Sequence, residues 1–93
     1  MTIDREKEAI LDDQIAKGQN MQAVLNGGLS EFFEAKQIQL FQAFMECSPG
    51  DTSTLVSIHH GAKAMHSLRL EVQGVVDSGK ISAAQKEQEN AQL

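Results

Sequence analysis

Apolar residues recur along this chain at intervals of three and four, the period of one helix face. Strict alternation, the mark of a half-buried strand, does not occur. Three segments carry the pattern. In the first, about 4–26, Leu11, Ile15, Gly18, Met21 or Gln22, and Leu25 form a stripe that Ile10 and Val24 widen. Asp4, Glu6 and Glu8 lie at its start, where negative charge favours the helix dipole. Asn26-Gly27 is a plausible left-handed stop. Gly18 costs the helix about 1 kcal/mol relative to Ala. It marks either a close helix crossing or a tolerated surface glycine.

The second segment, about 30–47, has Ser30 as its candidate N-cap, with Glu31 and Glu34 in the first turns. Phe33, Leu40, Phe44 and Cys47 make one stripe; Phe32, Ile38, Phe41 and Met45 make another beside it. A helix that is apolar on two sides wants two neighbours, so this segment is expected to be the central, most buried element. The third segment, about 52–77, follows cap oxygens at Asp51, Thr52 and Ser53. Its stripe, Leu55, Ile58, Ala62, Met65, Leu68, Val72 and Val75, is unbroken, and Ser78-Gly79 is expected to close it. Beyond lies a different stretch. Ser82-Ala83-Ala84-Gln85 reads as a capping box. The residues after it are polar on every face, so a short helix that frays is expected unless a partner orders it.

The chain therefore divides into a three-helix domain, 1–79, and a polar tail, 80–93. Two short connections imply antiparallel neighbours. The expected architecture is all-α: a three-helix up-down-up bundle, or a long helical hairpin with a short C-terminal helical tail.

Size sharpens this picture. A chain of 93 residues is one domain, and it can bury only about two-thirds of its unfolded surface. With four Phe and no Trp or Tyr, its core is slim. Oligomerisation is the expected remedy. The residues expected in helix packing or an oligomer interface are Phe32, Phe33, Ile38, Phe41, Phe44, Met45, Met65, Leu68 and Val72. The net charge of −5 argues against non-specific nucleic-acid binding, and no basic recognition helix suggests sequence-specific reading. One Cys cannot form an internal disulfide. No apolar run is long enough to span a membrane. The acidic stretch from Met1 to Asp13 does not resemble a targeting signal. These features read as a soluble, cytoplasmic protein.

Candidate chemistry is thin. His59 and His66 lie seven residues apart on the third helix, too far along the axis to share one metal without a ligand between them. Lys63 fills the intervening position and is no ligand. No zinc or di-iron spacing is present, so neither metal nor cofactor is expected. His59, His60, Lys63, His66 and Arg69 do make a weakly basic strip, since Glu71 is the only acid between Thr52 and Val76. Its simplest reading is a solvated helix face. The sharper one is that His59, Lys63, His66 and Arg69 meet an anionic partner. Cys47 has no adjacent base, which favours a structural thiol. Asp12 and Asp13 point about 100° apart on a helix and do not pair as acid and base. Gly27-Gly28 lacks the longer pattern of a phosphate loop. No catalytic constellation is present, and the chain is read as a non-enzyme.

Several strings carry a resemblance. Ala9-Ile10-Leu11-Asp12-Asp13-Gln14 leads into Met21-Gln22-Ala23-Val24-Leu25. Val75-Val76-Asp77-Ser78-Gly79-Lys80-Ile81 precedes an Ala/Gln-rich tail. In this order, over about 4–84, the chain resembles small helical proteins of tailed-bacteriophage structural gene clusters. The resemblance implies a non-enzymatic structural or assembly protein acting through helix–helix packing. Its partners would be further copies of itself and/or a larger virion protein. It would reside in the host cytoplasm during assembly and then in the virion. The alternative is a small oligomeric binding module for an anionic small molecule, such as a phage anti-defence protein.

Overall fold

The computed structural model describes residues 4–91; apart from Asp4 and the turn at 47–51 they are helical, with no strand among them. Helix α1 spans Arg5–Val24, α2 spans Ser30–Glu46 and α3 spans Thr52–Ala91. Asp4 caps α1, its Oδ1 accepting from the Glu6 amide at 2.8 Å.

The first correction concerns the Asn26-Gly27-Gly28 breaker. It does not reverse the chain. Leu25–Leu29 form a π-helical turn that joins α1 to α2 across a kink, and the Ser30 amide donates to the Leu25 carbonyl. Only Gly28 leaves the helical region, at φ 133°, a conformation open to glycine at little cost. The chain therefore absorbs an extra residue and keeps going. Ser30 is consequently helical and makes no N-cap hydrogen bond.

The reversal comes at residues 47–51. Cys47 is extended ahead of Ser48-Pro49, and the Asp51 amide donates to the Ser48 carbonyl at 2.9 Å. Asp51 then caps α3: its Oδ1 accepts from the Thr54 amide at 3.1 Å and its Oδ2 from the Thr54 hydroxyl at 2.6 Å.

From there α3 runs back along both earlier helices, α2 first and then α1, packing more extensively on α1. The result is one long antiparallel hairpin, 66 × 23 × 16 Å, in which α1 and α2 follow end to end rather than side by side. Its radius of gyration is 19.7 Å, against about 12 Å for a compact domain of this length.

The second correction is at Ser78-Gly79, where α3 does not stop. It continues for 40 residues in all. The reason is tertiary. Gly79 lies against Gly18 of α1, so close that a Cβ built on Gly18 would sit 2.8 Å from the Gly79 Cα. The polar stretch beyond is then held by α1. The Ser82 hydroxyl donates to Gln14 Oε1, Lys86 pairs with Asp12 and Glu8, and Lys7 pairs with Glu89. Ser82 is spent on this contact across the hairpin and opens no new helix.

The buried apolar residues are Leu11, Phe33, Val72 and Val76. Most of that core lies between α1 and α3. The expectation that α2 is the most buried element is overturned, because Phe33 is its only buried residue. A helix with two apolar sides has here a single neighbour, and the second side faces outward.

Candidate functional site

An apolar opening lies between α2 and α3, toward the closed end of the hairpin. It is a groove of about 340 Å³. From α2 it takes Gln37, Leu40, Phe41 and Phe44; from α3 it takes Ile58, Ala62, Met65, His66 and Arg69. The local sequence explains its shape. Facing the large α2 side chains, α3 presents Gly61 and Ala62. Leu40 reaches so close to Gly61 that a Cβ there would meet its Cδ2 at 3.2 Å. The helices touch at that point, and the flanking large side chains splay around it.

One end of the groove is anchored by Arg69. Its guanidinium lies 5.5 Å from the Phe33 ring centroid and donates to Gln37 Oε1 at 3.4 Å. Phe33 is almost fully buried, so this stacking fixes a cation against the one apolar plug of the α2–α3 half.

The expected packing residues separate into three environments. Phe33 and Val72 are buried, and Met65 is half-buried in the groove wall. Phe41 and Phe44 line the groove yet remain 63% and 53% exposed. Ile38 at 58%, Met45 at 65%, Phe32 and Leu68 are exposed outside it. Phe32 has the Lys36 ammonium 5.6 Å over its ring.

The expected anionic-partner strip also divides. His66 and Arg69 line the groove, whereas His59 and Lys63 stand exposed on α3 outside its lining. The His59 and His60 rings are 6.4 Å apart, edge to face. Among the described residues no three His, Cys, Asp or Glu side chains are grouped to hold a metal ion. Cys47 is half-buried, its Sγ 3.5 Å from the Ser48 carbonyl and 3.7 Å from that of Asp51, within weak thiol hydrogen-bond range.

Four ionisable groups elsewhere on the hairpin are shifted by their partners. The Thr54 hydroxyl and amide hold the Asp51 carboxyl below its ordinary range. Lys7 does the same for Glu89. Asp12 raises Lys86, and Asp13 raises Lys17. These are surface pairs and a helix cap.

Leu40, Ile58 and Ala62 are groove residues that lay on the stripes without being taken as site residues, and Gln37 lay off them. The available signal was a mismatch in size, large residues on α2 opposite Gly61-Ala62 on α3. No helix among the described residues is long and apolar enough to cross a membrane. No family model, curated protein or solved structure matches the chain.

Proposed function

We propose that this protein is a non-enzymatic structural or assembly component that works by helix–helix packing. The observation that carries the reading is the uncovered apolar surface of α2, where Ile38, Phe41 and Met45 of its second stripe and Phe44 of its first are each more than half exposed in the single chain. A contiguous apolar face of this kind is a signature of an interaction surface. The resemblance of the strings around Leu11, Met21 and Val75 to tailed-phage structural proteins suggests the setting. Partners would be further copies of the chain and/or a larger virion protein, met in the host cytoplasm and kept in the particle.

The test is light scattering on the purified chain, with co-purification against intact virions. A fully folded monomer that binds no virion protein refutes the proposal.

A second reading follows from His66 and Arg69 lining one apolar groove. An anionic small molecule with an apolar body could lie there, its charge at the Arg69 end. A nucleotide panel in a thermal-shift assay separates the two. This reading requires a stabilising ligand whose effect disappears in Arg69→Ala.

A further inference from the structure

We infer that the groove face between α2 and α3 is a homodimer interface, in which each copy lays its α2 along the basic edge of the other copy's α3. This rests on the assembly reading above and names the partner.

Phe41 lines the groove from α2. Glu34, Ile38 and Met45 share its edge, at spacings of three and four, and all four are exposed. His66 lines the groove from α3, and His59 and Lys63 continue its edge by the same spacing. One edge is thus acidic at its start and apolar after, while the edge across the groove is basic. A single face therefore holds both halves of a complementary pair, as a closed two-fold interface requires.

The levels also agree. Within one hairpin Phe33 stands beside Arg69, and Leu40 beside Gly61. A two-fold axis along the hairpin keeps these levels. It sets Glu34 opposite His66 and Arg69 of the second copy. Phe41 and Met45 then lie toward the start of the other α3, where Val56 is exposed. Apolar packing forms the middle of this interface and charge pairing its end.

The extended hairpin as a whole also has surface to spare. The chain exposes 6951 Å², against about 5,300 Å² for a compact monomer of 10.2 kDa. The surplus is roughly twice the 800 Å² per partner that a standard interface buries.

Light scattering and sedimentation of the full chain, over a range of concentrations, test this. The wild type is expected to be a dimer. Phe41→Glu is expected to be monomeric with unchanged helical circular dichroism, since Phe41 is not core. Glu34→Arg is expected to raise the dimer Kd about tenfold or more, and adding His66→Glu is expected to recover most of that loss. Ile81→Glu, exposed on the other half of the hairpin, is expected to change nothing. A dimer indifferent to Phe41→Glu but lost in Ile81→Glu overturns this interface and leaves the assembly reading standing. So does a monomer that binds a virion protein instead. A monomer that binds nothing overturns both.

Discussion

Replacing Gly18 by Ala tests the closest contact in the hairpin. The new Cβ would lie 2.8 Å from the Gly79 Cα, 3.2 Å from the Val75 carbonyl oxygen and 3.3 Å from the Gly79 nitrogen. All three are backbone atoms, which have no rotamer to yield. Ordinary contact begins at 3.4 Å, so the helices must part by roughly 0.6 Å, a gap that forfeits about a quarter or more of each dispersion well it opens. The buried Val76 lies beside that crossing. Overpacking of this kind costs about 1–3 kcal/mol. Against it stands the gain from Ala over Gly within a helix, about 1 kcal/mol. The expected net loss is about 0–2 kcal/mol. Gly74 is the matched control. It sits on the same α3, and a Cβ there meets nothing within 4 Å, so Gly74→Ala is expected to stabilise by about 0.5–1 kcal/mol. Both substitutions stiffen the unfolded chain alike, so the difference between them isolates the crossing. At about 4–8 °C per kcal/mol for a domain this size, the overpacking difference of about 1–3 kcal/mol is expected to set Gly18→Ala roughly 4–24 °C below Gly74→Ala. Thermal and urea unfolding followed by circular dichroism measure this. If Gly18→Ala melts as high as Gly74→Ala, the helices do not cross there as closely as described.

Phe33→Ala is expected to cost about 3–5 kcal/mol, because it empties the only buried position of α2 and removes the ring under Arg69; denaturant titration reads the loss. Asp51→Ala is expected to lower Tm by a few degrees through loss of the cap on α3, and Asp51→Ser to restore part of it. The Asp51 and Glu89 carboxyls are both held below their ordinary range in the folded chain. The stability they contribute is present above the ordinary carboxylate range and is lost as pH falls through their lowered folded values. Acid titration of Tm is therefore expected to show a decline that is smaller in the Asp51→Ala, Glu89→Gln double variant. High salt or Lys86→Gln is expected to speed hydrogen exchange in the last turns of α3, where Lys86 meets Asp12 and Glu8, and to leave the Phe33 region unchanged.

Helical periodicity alone told that the chain is all-α and that Asp51 could cap α3. These are matters of one or two turns, where a side chain's neighbours are its sequence neighbours. Of the seam the periodicity drew on α3, Val72 is buried while Leu68 is exposed, and the buried Val76 lies off it. Whether a break bends or reverses the chain is a different question. Asn26-Gly27-Gly28 and Ser48-Pro49-Gly50 both offer the freedom to turn, yet the first makes a π-turn and the second the reversal. Ser78-Gly79 carries the composition of a helix stop, but Gly79 is used for close approach to Gly18. A glycine permits several conformations, and the partner across the hairpin selects one. The same holds for α2. Its two apolar stripes are plain in the sequence, but only the path of α1 leaves one of them uncovered. Extending α1 and α2 end to end puts all of α3 to work as a single shared neighbour. That choice of path opens the groove at Phe41 and leaves an apolar face for a partner to cover.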